Sequence, residues 1–238
     1  IHLMPQMKSP PEVIMLATSD IENYARHSRV AWEKFCAVRG YGFFHYPEKL
    51  LSDMHVNWSK IEMVRRHLAA TKTDMVVLVD ADTYVCDPKL HLGAIADCYP
   101  DKDVIFSRDC RNIGPFVLPL NYEAALKYKT RKLPNAGFVL IRNTEFSRKF
   151  FDKWLDLARN ELKAIADIHP RNQRVLWEGL YFQNGDKIAL LNRQVERVRD
   201  AAHIESAIRH GAKVIHVKEG LTEEQSRELE NRINATSQ

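Results

Sequence analysis

Short apolar runs recur along the chain, separated by longer stretches in which apolar residues return every three or four positions. Val13 to Ala17 is the first run, and Thr18-Ser19-Asp20 after it can turn the chain and cap a helix. From Ile21 to about Val38 the residues Tyr24, Ala31, Phe35 and Val38 fall at helical spacing, and Arg39-Gly40 closes the segment as a C-cap does. Tyr41 to Tyr46 reads as a strand ended by Pro47. This order predicts the start of a βαβ unit whose strand-to-helix turn lies at the ligand-binding end of a sheet.

Asn57 then reads as the cap of a helix running to about Ala70, with Ile61, Val64 and Leu68 on one face. That helix feeds Met75 to Val79, a continuous apolar and β-branched run of the kind buried on both faces of a parallel sheet. Cys86-Asp87-Pro88 reads as a turn, His91 to Cys98 as a short helix and Asp103 to Ser107 as a strand. Arg108 to Asn121 has no clear period and reads as a loop of functional length, followed by a helix from Asn121 to Lys129. Asn135 to Ile141 is a strand that begins on small residues, and Thr144 to about Lys163 is the longest helix, striped by Phe146, Phe150, Trp154, Leu157 and Leu162. Trp154 and Trp177 read as core residues and Glu178 as a helix surface acid. Asn172-Gln173 opens a helix to Phe182, Lys187 to Leu191 and Lys213 to Val217 are further strands, and Thr222 onward is a charged helix too poor in apolar residues to bury much.

No repeat or linker interrupts this series, so residues 1–238 read as one α/β domain, with 1–12 as an N-terminal arm and 221–238 as a C-terminal surface helix. The 45% hydrophobic content and a net charge of +4 describe an ordinary globular chain. No run approaches the roughly 18 apolar residues of a membrane span. Lys and Arg are spread among acids with no basic tract, which argues against nucleic acid as a partner. The four cysteines lack metal-type spacing and read as reduced thiols, which favours the cytoplasm, although Ile1 in first place leaves a trimmed lumenal domain of the secretory pathway open.

Chemistry enters at the end of the Met75 to Val79 run. Asp80 and Asp82 leave a buried strand one residue apart, at the end of the sheet where ligands bind. Two carboxylates there suit a hard divalent ion such as Mg²⁺ or Mn²⁺, able to bridge to a phosphate-bearing substrate.

Val79-Asp80-Ala81-Asp82-Thr83, Asn135-Ala136-Gly137-Phe138, Asn172-Gln173 and Val214-Ile215-His216-Val217 resemble, in order and spacing, motifs of retaining glycosyltransferases of the GT-A fold, the glycogenin and bacterial lipooligosaccharide galactosyltransferase group above all. The likeness runs from about Val13 to Lys218. It implies a single GT-A domain with a mostly parallel central sheet flanked by helices, and a hexose moved from a UDP-sugar donor to an acceptor hydroxyl with retention. Asp80, Asp82 and His216 would hold Mn²⁺ or Mg²⁺. Thr18, Asp20 and Tyr24 are similar to the uracil-contacting loop, Lys60 and Lys218 to phosphate-binding lysines, and Asp109, Asn135 and Gly137 to residues that bind donor hydroxyls. Asn172 and Gln173 fall at the reacting carbon, but the family has an acid where Asn172 stands, so either front-face return steadied by Gln173 or another acid, Asp167 or Glu178, is implied. Plainer readings stand beside these: His216 as a core histidine, Lys60 and Lys218 as solvated charges, Tyr24 as packing, Asn135 and Gly137 as a tight strand start. Two other functions remain open, a sugar-nucleotide or glycan binder without turnover and a Mg²⁺-dependent phosphatase of the haloacid dehalogenase type.

Overall fold

A computed structural model describes residues 9–112, 132–192 and 194–235. In chain order its main elements are β1 (Glu12–Leu16), α1 (Glu22–Arg39), β2 (Gly42–Tyr46), α2 (Val56–Ala70), β3 (Met75–Asp80), β4 (Thr83–Val85), α3 (Leu92–Asp97), β5 (Val104–Asn112) and β6 (Lys132–Arg142). There follow α4 (Glu145–Arg159), α5 (Lys163–Ala166), α6 (Asn172–Gly179), β7 (Ile188–Leu190), β8 (Val195–Val198), α7 (Ile204–Arg209), β9 (Val214–Val217) and α8 (Glu223–Ala235).

Six strands form one sheet in the order β2-β1-β3-β6-β5-β7. Three of its five neighbour pairs are parallel, while β6 runs antiparallel to both β3 and β5. The sheet is therefore mixed, with its parallel pairs at the two edges. Burial on both faces explains the continuous apolar run of β3: Val76 and Leu78 point to one layer and Met75, Val77 and Val79 to the other. The first layer is built on α2, α4 and α6 through Trp58, Met63, Phe150, Trp154 and Trp177. The second is built on α1 and α3 through Trp32, Phe35, Leu92 and Ile95.

A second sheet, β4-β9-β8, covers the carboxyl end of β3 and encloses a third cluster with α7 and α8. Neither β4 nor β8 is evident from hydrophobic periodicity, because three and four residues are too few to display a period. The C-terminal helix is also docked more firmly than its composition suggests. Leu221 and Leu229 are buried, and Glu230 pairs with Lys34 at 2.6 Å and Arg232 with Glu205 at 3.0 Å.

Several boundaries move for identifiable reasons. His55, not Asn57, caps α2, its ring nitrogen accepting from the Asn57 amide at 3.2 Å. β5 continues to Asn112 through irregular pairing with β6, so the polar stretch from Arg108 to Asn112 is strand rather than loop. The rest of that expected loop and the helix expected over 121–129 lie outside the described residues. The long helix does begin at the Thr144 cap, whose hydroxyl accepts from the Ser147 amide at 3.2 Å, but it ends at Arg159 and a short turn of helix follows. Glu178 is buried on α6 and is not a surface acid.

Trp154 links this core to the start of α6. Its ring is fully buried among Phe106, Phe150 and Phe151, and its indole nitrogen donates to the Asn172 carbonyl at 2.9 Å. Trp154→Ala is expected to lower stability by about 3–5 kcal/mol, read as a reduced urea midpoint, because it opens a large cavity and leaves that carbonyl without its donor.

Candidate functional site

The carboxyl end of β3 delivers Asp80, and the tight connection to β4 delivers Asp82. The Thr83 hydroxyl donates to the Asp80 carbonyl at 2.6 Å, closing that connection. The Thr83 carbonyl in turn accepts from the Ser28 hydroxyl at 2.6 Å and from the Trp32 indole at 3.2 Å, which ties the loop to α1. His216 arrives from β9, which pairs with β4 so that Thr83 and His216 are opposite one another, and the Val217 amide donates to the Asp82 carbonyl at 2.9 Å.

These backbone constraints bring two acids and an imidazole together. His216 Nε2 lies 3.0 Å from Asp82 Oδ1 and 3.9 Å from Asp80 Oδ2. One ligand atom from each of Asp80, Asp82 and His216 falls within 4.8 Å of the others. Lys60, reaching across from α2, donates to Asp80 Oδ1 at 2.6 Å and to the Ala136 carbonyl at 3.1 Å. Burial alone would raise the Asp82 carboxyl, but His216 beside it, helped by Lys60, holds it below the usual aspartate value. Burial would likewise lower His216, and Asp82 with Asp80 reverses that and raises it above the usual imidazole value.

The donor set fits a divalent ion of the manganese or magnesium kind: two carboxylate groups and a borderline imidazole, all at one point. The surrounding backbone is also shaped to it. A Cβ added at Gly137 would stand 2.5 Å from both Cε1 and Nδ1 of His216, so a glycine is what admits the ring at this position.

Beside the triad lies a cleft of about 240 Å³ lined by Thr18, Asp20, Tyr24, Asn57, Lys60, Asp80 and Asp82, among others. Thr18, Asp20, Tyr24 and Lys60, each singled out in the sequence, thus share one cavity with the two acids. The Tyr24 hydroxyl is pushed up to about 12, first by burial and then by the Asp82 and Asp80 charges. Its ring packs against Gly220, where φ is 71° and an added Cβ would stand 2.7 Å from it.

The remaining expected residues form a second, buried group. Asn135 Nδ2 donates to Asp109 Oδ2 at 3.0 Å, and Asn135 Oδ1 accepts from the Gly137 amide at 2.8 Å. Gln173 Oε1 accepts from the Ala136 amide at 2.9 Å, while its Nε2 lies 3.5 Å from Asp109 Oδ2. Asn172 Nδ2 donates to the Asn57 carbonyl at 3.0 Å, so the amide at this position fastens α6 to the first turn of α2. Neither Asp167, which is exposed, nor the buried Glu178 lines the cleft.

Lys218 is not among the residues that line the cleft. β9 ends at Val217, and the chain turns there, with Gly220 bonded back to Val217 at 2.8 Å and Glu219 at φ 63°. The alternation of an extended strand therefore stops before Lys218, whose side chain is 68% exposed and approaches Glu219 at 3.9 Å. Sequence reading missed Arg197 on β8, 3.5 Å from the buried Asp109 carboxylate. Its only local signal is the four-residue Val-Glu-Arg-Val alternation.

Gly137 supplies a sharp test of this geometry. Gly137→Ala is expected to push the imidazole or the β6 backbone aside and lower stability by about 1–3 kcal/mol in urea unfolding. Gly185→Ala, where an added Cβ meets nothing within 4 Å, is expected to stay within about 0.5 kcal/mol of the parent.

No family model matches the chain, and no curated protein matches it in sequence. Solved structures do match it in shape. A glycosyltransferase involved in the glycosylation of the major capsid of PBCV-1 superposes with a TM-score of 0.67 at 14% identity, over 94% of this chain and 100% of that one. The galactosyltransferase LgtC, in complex with donor and acceptor sugar analogues, superposes with a TM-score of 0.59 at 13% identity, over 94% and 95% of the two chains. The bifunctional glycosyltransferase WbbM gives 0.56 at 13% identity, over 97% of this chain and 50% of its own. Among the described residues no helix is long and apolar enough to cross a membrane. The six-stranded sheet with helices on both faces is the fold of GT-A glycosyltransferases.

Proposed function

We propose that this chain is a metal-dependent glycosyltransferase that moves a hexose from a UDP-sugar to an acceptor hydroxyl with retention. The observation that carries this reading is the meeting of Asp80, Asp82 and His216 beside a cleft that also contains Lys60, Thr18, Asp20 and Tyr24. A divalent ion held by the three ligands would supply Lewis-acid stabilisation of the diphosphate leaving group, an effect worth several kcal/mol in a water-poor site.

The chain's own groups divide the remaining work. Lys60 adds a cation beside Asp80, where charge builds as UDP departs. Thr18, Asp20 and Tyr24 also line the cleft and offer a hydroxyl, a carboxylate and an aromatic face to a nucleoside. Asp109 and Asn135 would meet donor hydroxyls, with Gly137 allowing close approach of the backbone. Gln173, fixed by the Ala136 amide, would face the reacting carbon with a neutral amide. The side chain of Asn172 is committed to the Asn57 carbonyl and carries no carboxylate, which favours front-face return over a covalent intermediate at this position.

That same amide supports a second reading, a sugar-nucleotide binder without turnover. Screening a UDP-sugar panel in manganese separates them: UDP release is expected from at least one donor, whereas tight UDP binding with no release from any donor favours the binder. Asp82→Ala is expected to abolish manganese-dependent UDP binding in titration calorimetry while leaving the circular dichroism spectrum unchanged. Undiminished UDP affinity in manganese would remove the triad from the site.

A further inference from the structure

One row across the smaller sheet carries three polar side chains. Thr83 pairs with His216 between β4 and β9, and His216 pairs with Arg197 between β9 and β8. Residues that share a row point to the same face of a sheet. Each member of this row reaches the larger sheet or the connection that leaves it: the Thr83 hydroxyl to the Asp80 carbonyl, His216 Nε2 to Asp82, and Arg197 Nη1 to Asp109 Oδ2 at 3.5 Å. The first two contacts set the metal ligands. The third falls on β5, against which β8 packs.

The Asp109 side chain is fully buried. A carboxylate there persists as an anion only with hydrogen bonds and positive charge around it. Asn135 and Gln173 direct their amide nitrogens at the oxygen that Arg197 approaches, and both are anchored by their other ends to the β6 backbone at Gly137 and Ala136. Arg197 therefore stands behind the carboxylate that orients both amides. The acids and the imidazole are fastened through the backbone, because Asp80, Asp82 and Thr83 lie within four residues of one another and β9 is bonded to that stretch.

We propose that Arg197 is a positioning residue for the transfer reaction, holding Asn135 and Gln173 through Asp109 at a set distance from the metal ligands. The proposal rests on the glycosyl-transfer reading for its consequence in turnover, and on the ion pair alone for its effect on the amides.

The test joins kinetics to spectroscopy. With the donor that gives the fastest UDP release, Arg197→Met is expected to lower kcat by about tenfold or more while the Kd for UDP in manganese stays within about threefold, since the backbone pairing that places the acids and His216 does not involve the Arg197 side chain. In an Asp109→Asn background the same change is expected to alter kcat by less than about twofold, because a residue that acts through another loses its effect when the other is gone. Additive losses would overturn the proposal, as would an equal weakening of manganese-dependent UDP binding. Should Arg197→Met fail to fold, Arg197→Lys, which keeps the charge but not the fork, completes the same cycle. Independently of turnover, the side-chain amide signals of Gln173 and Asn135 in nitrogen–proton correlation spectra are expected to move in the Arg197 variants. Unmoved signals would overturn the proposal. A parent that releases UDP from no donor would sink the transferase reading, and the amide signals would still decide whether Arg197 places these groups.

Discussion

Two carboxylates that leave an apolar strand one residue apart repel each other unless positive charge is brought to them, and the carboxyl end of the larger sheet is arranged to satisfy that constraint. Lys60 comes from α2 to Asp80 and His216 from β9 to Asp82. Neither partner lies near the acids in sequence. The approach of His216 is secured by backbone, through the β4–β9 pairing and the Val217 amide on the Asp82 carbonyl. A site held this way is preorganised for a cation, since the ligands are already grouped at the point where charge is needed.

The smaller sheet owes its place to the same requirement. It carries His216 and Arg197 on one row, and behind it the third hydrophobic cluster seats α7 and α8. The corner after β9 also serves the cleft. The Leu221 amide donates to the Tyr84 hydroxyl at 2.8 Å, and Gly220 at positive φ lies against the Tyr24 ring. The C-terminal segment thus packs against both β4, which follows the two acids, and the aromatic wall of the cleft, although its own composition is strongly polar.

The amide group around Asp109 differs in character from the Asp80, Asp82 and His216 triad. It is buried, each member is hydrogen-bonded, and its members come from β5, β6 and α6. Entry into α6 passes through Arg171 at φ 53°, a conformation that non-glycine residues hold at a cost of about 1–3 kcal/mol and only where surrounding contacts demand it. Those contacts include the Asn172 amide on Asn57 and the Trp154 indole on the Asn172 carbonyl. The amide at position 172 serves here as a fastening between helices.

By itself the sequence determined which stretches are strands and helices wherever a period had room to show: the two-faced run of β3, the aromatic stripe of α4, the Gly40 cap of α1, and the placing of Asp80 and Asp82 at the end of a buried strand. Motif likeness added His216, Gly137 and the cleft residues Thr18, Asp20, Tyr24 and Lys60. What only the tertiary structure decided concerns the polar groups whose partners are remote. Arg197 sits on Asp109, Glu178 is drawn inside, Lys218 follows the end of β9 with its side chain exposed, and His55 takes the cap read for Asn57. The physical reason is one of range. Apolar periodicity is a property of neighbouring residues and is written locally, whereas the direction of a charged side chain follows from whichever opposite charge or backbone group the folded chain brings within a few ångströms of it.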